Sequence, residues 1–552
     1  MPTNANARRS GPVRLAIARD GADAVDAAPA WTPADLVADW PGTALTSLVA
    51  IVPAFLGAHL PLVAGLAIAT AVAIALAIWI GRGSAVPIVL SFIPATVLAS
   101  SGLLPASTYF LPTATLGLCL VLVEGLRLIR SGIIYGLPAR PLVASALAYL
   151  LAAVVSSVFS IRPSISLPYL VGIGIVLIAS LWLGPWILSS AARAASLFAL
   201  IGAAGVTVSL ISLWFSLMGP VLWFDRWLGV YLVDELTIAG TPTHVFLLRT
   251  TGPFLAPGSQ ALVLAPAALA LLALRPGVGT GARRVIDLAL VVTIVGLLST
   301  FARAGWLAVI VGSAIVAFRD VRSRRIDFAA ASVCAVMVVA FGALLVNVIG
   351  ADYRPDLTEA RNPAVVNATQ PSGDETVPLI PDPGATGDGS TNGGTEPRFQ
   401  TRGGSELSGR LEIWTASVKA IRDSPWTGYG PGTDAIVIDP YLTGDSRRFA
   451  GLTSHNTWLR TWIELGILGI ASFIGLVLAT FVAARRSRPV DPGRRLIGVG
   501  ALAIFVGLLT AQGFETFLLG GVSLPSFAWS LAAGLLAVGP LAGLDVSRDA
   551  TG

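Results

Sequence analysis

The sequence is poor in charge. Only 12% of its 552 residues are Asp, Glu, Lys or Arg, against 55% hydrophobic residues, and mean hydropathy is +0.78. A soluble domain carries roughly twice that share of charge, so an ordinary soluble protein is excluded. Lysine is nearly absent: Lys419 is the single one, so arginine supplies 35 of the 36 basic residues. These arginines are scattered through loops without a basic run, and the formal net charge of +5 therefore gives no nucleic-acid footprint. Cysteine is scarce too. Cys119 and Cys334 fall inside apolar runs, where they read as small buried hydrophobes and not as a disulfide or thiolate metal site. Strict apolar–polar alternation is missing, which excludes a transmembrane barrel. No short apolar core with a cleavage site follows the polar residues 1–42, so they read as a cytoplasmic N-terminal tail and not a signal peptide.

What the chain does have is apolar runs of about 20 residues, the length that crosses a hydrocarbon core of ~30 Å. They lie near 43–59, 61–80, 85–104, 108–126, 141–160, 167–188, 195–218, 258–274, 285–300, 304–318, 327–349, 456–482, 496–512 and 523–542. The expected fold is all-α, a polytopic transmembrane helical bundle of about 12–14 spans. Pro94, Pro112 and Pro185 fall inside spans and are compatible with helices packed against neighbours. The expected organisation is a tail over 1–42, a bundle over 43–349, an extracytoplasmic loop over 350–455, further spans over 456–542 and a cytoplasmic tail over 543–552.

Arginine sets the orientation. Alternate loops carry Arg82; Arg127, Arg130 and Arg140; Arg193; Arg275, Arg283 and Arg284; Arg319, Arg322, Arg324 and Arg325; and Arg485, Arg486, Arg488, Arg494 and Arg495, seventeen in all. The intervening short loops carry four, Arg162, Arg226, Arg249 and Arg303. The positive-inside rule puts the first set in the cytoplasm and the long segment 350–455 outside. Within that segment, 355–404 is rich in Pro, Gly, Thr, Asn and Asp and is expected to be disordered. An amphipathic helix is expected over 408–424, with Ser408 as N-cap, an apolar face of Leu411, Trp414, Val418 and Ile421, and Pro425 as its stop. The smaller outer loop 219–257 holds Trp223 and Trp227, suited to an aromatic belt, and ends RTTGPFLAPGSQ at 249–260.

On the outer side the chain thus gathers Arg249, Arg303 and Arg410, with His455 and Asn456 at the entry of a span. Guanidinium groups bind phosphate bidentately and keep their charge. An imidazole titrating near ~6.5 accepts a proton at working pH. Cationic clamps with one base suit displacement at a carbon whose leaving group is a lipid diphosphate. Glu464, nine residues into the span that follows His455, is expected to pair inside the bundle with Arg460, one helical turn earlier. GYGPG at 428–432 reads as a helix-terminating turn, and His59 and His244 as structural.

SGRLEIW (408–414), AIRDSPWTGYGPG (420–432) and SHNTWLRTWIELGILG (454–469) resemble the signature of the O-antigen ligase and polymerase superfamily. That signature is an Arg-and-Trp helix, a P-x-x-G-x-G turn, and an H-N…E-x-G-x-x-G span after a long extracytoplasmic loop. RTTGPFLAPGSQAL (249–262) is similar to its R-x-x-G-x-F segment, and STFARAGWLA (299–308) to its S/T-x-S-R-G segment, with Ala302 in place of the usual Ser and Ala304 before the Gly. The resemblance implies inverting transfer of a glycan from undecaprenyl diphosphate to an acceptor hydroxyl outside the cytoplasmic membrane of a bacterium. Carried over by position, His455 is the base, Arg303 and Arg249 hold the diphosphate, and Arg410 assists. Asn456, Trp414 and Glu464 support the site. Neither a metal nor another cofactor is implied. The partners are a polyprenyl-diphosphate-linked glycan donor, a glycan, lipid or protein acceptor, and the bilayer, with no nucleic acid.

Ligase and polymerase stay equally open, because both activate a hydroxyl against the same type of donor. A glycolipid transporter or flippase is the non-enzymatic alternative, though apart from Glu464 and Glu124 the spans offer few acids. Metal-dependent multi-span glycosyltransferases generally place acidic residues in the first outer loop. Here that loop is only Ala58 to Pro61 and has none.

Overall fold

The computed structural model describes residues 31–538 except 59, 81–83, 102, 105–108, 132–138, 220, 224–225, 230, 238–243, 255, 319–326, 350–398, 402–405, 444–450, 487–490 and 520–521. Each of the fourteen apolar runs is a helix. They are α2 (Trp40–Leu56), α3 (Leu62–Ile80), α4 (Val86–Ser100), α5 (Leu111–Ser131), α6 (Arg140–Val158), α7 (Pro163–Ile187), α8 (Ala191–Met218), α9 (Pro257–Leu274), α10 (Thr280–Leu298), α11 (Arg303–Ala317), α12 (Phe328–Ile349), α14 (Thr457–Arg486), α15 (Pro492–Ala511) and α16 (Leu524–Val538). Among the described residues, nine helices are long and apolar enough to cross a membrane. The chain is a multi-pass helical membrane protein.

Local sequence sets the starts of these helices. Proline stands in the first turn of α2, α4, α6, α7, α9 and α15, where its missing N–H costs nothing. Ser190 and Asp491 cap α8 and α15, each accepting a bond from a backbone N–H three residues on. Most helices are apolar all round and expose a lipid-facing side: Leu147 and Leu151 on α6 and Leu288 and Val291 on α10 are examples. Helix α9 is the exception, buried almost throughout from Gln260 to Leu274. It is the centre of the bundle, packed by α8, α11 and α15, and its N-terminus lies at the arginine-poor, outer end.

Within the N-terminal segment, Trp31 is buried with its backbone N–H on the Gly277 carbonyl, and a short helix α1 (Pro33–Val37) precedes α2. Residues 1–30 and the tail 543–552 lie outside the described residues. The loop 219–257 contains β1 (Val221–Trp223) paired with β2 (Arg226–Leu228), and β3 (Tyr231–Thr237) paired antiparallel with β4 (His244–Thr250). Within 355–404, Phe399–Thr401 forms β5, parallel to β3, so the stretch expected to be disordered holds a strand; residues 355–398 and 402–404 lie outside the described residues.

The outer helix α13 (Glu406–Asp423) is present, but the apolar face was misread. Leu411 and Val418 are exposed at 65% and 40%; Ile413, Ala416, Ala420 and Ile421 are buried against Val437, Ile438, Leu442 and Ile463. The small residues let α13 approach its neighbours closely, and that packing outweighs the larger side chains on the other stripe.

Helix α14 explains why a polar outer segment sits on an apolar bundle. Thirty residues would span about 45 Å, well beyond the ~30 Å core. The helix breaks at Gly466 (φ 66°, ψ −163°), leaving Ile467–Arg486, about 30 Å, for the membrane. The turn after α13 fills the break. Tyr429 N–H donates to the Ile463 carbonyl and Gly430 N–H to that of Glu464, both at 3.0 Å, while Ile467 N–H donates to the Pro425 carbonyl at 2.9 Å. A Cβ on Gly466 would lie 2.1 Å from the Trp426 carbonyl oxygen, and one on Gly428 would lie 2.4 Å from that of Glu464, so both glycines are required by contact as well as by positive φ. Ser156 adds its hydroxyl to the Glu464 carbonyl, and Ser166 donates to the Pro431 carbonyl. The GYGPG turn therefore ends one helix and caps half of another.

Candidate functional site

Two groups of residues stand at the arginine-poor end of the bundle. The first is built on the turn between α10 and α11. Thr250, the last residue of β4, donates its N–H to the Ser299 carbonyl at 3.1 Å, and the two hydroxyls lie 2.8 Å apart. Arg249, 7% exposed, donates from Nε to the Thr300 carbonyl at 3.2 Å. Phe301 takes the left-handed conformation (φ 47°), and Trp306 Nε1 donates to the Leu297 carbonyl at 3.0 Å, which locks the turn from behind. Arg303 then opens α11 and is half-buried. The N-cap residue Ala302 has no side-chain acceptor, so the first amides of α11 and the positive end of its dipole are not neutralised by a cap. Guanidinium groups and uncapped helix starts both attract anions.

The second group surrounds His455, itself in the left-handed conformation (φ 47°), unusual for a residue with a Cβ. Bonds on either side hold it there. Ser454 donates its N–H and hydroxyl to Asp434 Oδ2 at 3.1 and 3.2 Å, and its carbonyl accepts from Trp414 Nε1 at 2.9 Å. Asn456 caps α14: its Oδ1 accepts from the N–H groups of Trp458 (3.0 Å) and Leu459 (3.2 Å), and its Nδ2 donates to the Gly513 carbonyl. Thr457 N–H is shared between the Gln512 and Glu515 carbonyls at 3.0 and 3.1 Å. Backbone strain sustained by this many bonds is typical of functional positions. The imidazole Nδ1 is buried without a hydrogen-bond partner, and Glu515 Oε2 stands 3.6 Å from it. Glu515 Oε1 lies 3.8 Å from Arg410 Nη2.

Beneath this group Arg460 and Glu464 form the expected pair, Nε to Oε1 at 2.8 Å, both nearly fully buried. Arg460 also donates to the Thr516 carbonyl at 2.7 Å and lies over the Tyr169 ring. The break at Gly466 puts both residues in the N-terminal part of α14.

The register of the packed helices relates the two groups. Gly305 of α11 meets Ala261 of the parallel helix α9, which sets Gly258 level with Ala302 and Arg303. Gly507 meets Ala308 and Gly312 meets Ala503 along the antiparallel pair α11 and α15; the same register sets Arg303 level with Gln512, whose carbonyl holds Thr457. Glu515 completes the connection, with Oε1 2.9 Å from the place a Cβ on Gly258 would occupy. His455, Arg410 and Glu515 are in one cluster, Arg249 is bonded to the turn that presents Arg303, and the start of α9 stands between. Asn456 and Trp414 act on the backbone around His455, and Glu464 acts through Arg460. Among the described residues no three His, Cys, Asp or Glu side chains converge on a metal position.

Glu515 is the residue that sequence reasoning missed. The signal was there, an acid in the short outer connection QGFETF (512–517), but nothing in its spacing tied it to His455 sixty residues earlier. The side chain of His244 and the whole of His59 lie outside the described residues.

Residues 288–474 match the family model described as O-antigen ligase. The matched stretch contains Arg303, Arg410, Trp414, His455, Asn456 and Glu464, and it excludes Arg249 and Glu515. No curated protein matches the chain.

Proposed function

We propose that this member of the O-antigen ligase and polymerase superfamily, at the family level a glycosyltransferase, takes its glycan from a polyprenyl diphosphate and works on the outer face of the bacterial cytoplasmic membrane. His455 Nε2 accepts the proton of the acceptor hydroxyl as its oxygen forms a bond to the anomeric carbon. The bond from that carbon to the diphosphate oxygen breaks with inversion, and its electron pair leaves with the polyprenyl diphosphate. Arg303, Arg249 and the uncapped start of α11 hold the negative charge that grows on the leaving group. Arg410, tied to Glu515, lies beside the base and can reach either the acceptor or the donor. A sugar hydroxyl is a poor nucleophile until its proton is removed, and a diphosphate leaves readily once its charge is held, so the residues account for both halves of the reaction without a metal.

The observation that carries this reading is the strained, many-times-bonded backbone of His455 at the level of Arg303. Its test is substitution in living cells. His455→Ala and Arg303→Ala should leave the protein inserted and folded while lipid-linked glycan accumulates and attached glycan disappears. Normal attachment in either variant would remove the proposed role. Transfer that persists in a chelator agrees with the metal-free mechanism; loss of transfer, restored by a divalent cation, contradicts it.

A transporter is the second reading with a specific observation behind it, because α14 is discontinuous and such helices form ion and substrate sites in transporters. There the freed carbonyls face a ligand. Here the Ile463 and Glu464 carbonyls are taken by Tyr429, Gly430 and Ser156, which favours the enzyme.

A further inference from the structure

Glu515 has no part in the reaction as written, yet its environment is unusually well defined. It lies in the turn that links α15 to α16, closed by Gln512 Oε1 accepting from the N–H groups of Phe517 (3.1 Å) and Leu518 (3.2 Å). Its backbone carbonyl accepts from both the N–H and the hydroxyl of Thr457, each at 3.1 Å, two residues past His455. Gly258 leaves room for the carboxylate that any side chain there would fill. The carboxylate is 9% exposed, with one oxygen 3.6 Å from His455 Nδ1 and the other 3.8 Å from Arg410 Nη2. Among the described residues, Nδ1 is one of the buried side-chain nitrogens that find no hydrogen-bond partner. A buried ring nitrogen left unpaired is costly, and hydrogen bonds at active sites are often long until substrate binds.

We infer that Glu515 is the positioning residue of the site, accepting the Nδ1 proton of His455 and so keeping the Nε2 lone pair directed at the acceptor, while it holds Arg410 alongside. The inference rests on His455 being the base. A carboxylate on one nitrogen fixes the tautomer and ring orientation and stabilises the imidazolium that forms when the other nitrogen takes a proton. Among the described residues, the charged groups packed around this imidazole are Glu515 from the α15–α16 turn and Arg410 from α13. Asp434 is engaged by Ser454, and Arg460 by Glu464 and Thr516. Glu515 is thus the carboxylate set to compensate a charge on His455.

The test uses the full chain purified in lipid nanodiscs, with a polyprenyl-diphosphate-linked glycan as donor and release of polyprenyl diphosphate as readout. Glu515→Gln keeps the size of the side chain and leaves the backbone bonds to Thr457 in place. It should lower kcat about ten- to a hundred-fold, a smaller loss than removal of the base, with donor KM little changed. Glu515→Asp should recover part of the rate. A folded Glu515→Gln enzyme with the wild-type kcat overturns the inference. So does a loss confined to donor KM, or a fall in rate that follows a lower melting temperature and that Glu515→Asp does not relieve. His455→Ala separates the two readings: if it is active the catalytic assignment fails, whereas if it is inactive and Glu515→Gln is normal, only the role of Glu515 fails.

Discussion

The two ends of the bundle use the same residue in opposite ways. At the inner end Arg127, Arg130, Arg140, Arg193, Arg284, Arg485, Arg486 and Arg495 are exposed, and Arg275 pairs with Asp287 at the surface. Arg193 and Arg283 there bond the Ile187 and Val278 carbonyls, and the positive-inside rule assigns this end to the cytoplasm. At the outer end Arg249 and Arg460 are buried, Arg303 and Arg410 half-buried, and Arg249, Arg410 and Arg460 each make a specific bond. Burying a guanidinium is costly unless its partners are built in, so these positions are specified by the fold around them. Arg162 supplies the internal control, since it lies at the outer end and is exposed. Sidedness with burial, and not sidedness alone, is the criterion by which we propose site arginines.

The sharpest way to break this comparison is Arg303→Ala, which should cut transfer about 10²–10⁴-fold in a protein that still folds, as measured by product formed per inserted molecule. Arg303→Lys should rescue little, because a point charge cannot replace a bidentate fork. Next comes the buried pair. Arg460→Met leaves the Glu464 carboxylate without its partner and should cost about 3–5 kcal/mol in thermal or denaturant unfolding. The double change Arg460→Met with Glu464→Met should recover much of that stability, and a double change no more stable than the single one would show that the pair is not an energetic unit. Gly466→Ala should destabilise the outer half of α14 by pushing the Trp426 carbonyl out of the break, read as a lower melting temperature with activity falling in step. The smallest effects belong to Arg485→Ala and Arg162→Ala. Both should keep activity within about twofold, since exposed single charges contribute little; a tenfold loss in either would erase the distinction drawn from burial.

The bundle was legible because span length and arginine sidedness are local properties of the sequence. The site was partly legible for a similar reason. Arg249, Arg303, Arg410 and His455 each stand at a turn or helix start that punctuation residues mark, and the Arg460–Glu464 pair follows from helical spacing. The strands β3 and β4 were hidden, because turn residues around 238–243 and 251–258 dominated the reading of that loop. The buried face of α13 was hidden because its partners, Val437, Ile438 and Ile463, come from later in the chain. Glu515 was hidden for the deepest reason. Its meaning comes from Gly258, Arg410 and His455, three positions that only the packing of α9, α13, α14 and α15 brings together.

The most direct measurement is release of free polyprenyl diphosphate by the purified protein in a sealed bilayer, given a lipid-diphosphate-linked glycan and a hydroxyl acceptor. Release matched by glycan transfer, with loss of both in His455→Ala and Arg303→Ala, is the predicted result. Movement of the intact donor across the bilayer with no release, or equal release by His455→Ala, would contradict it.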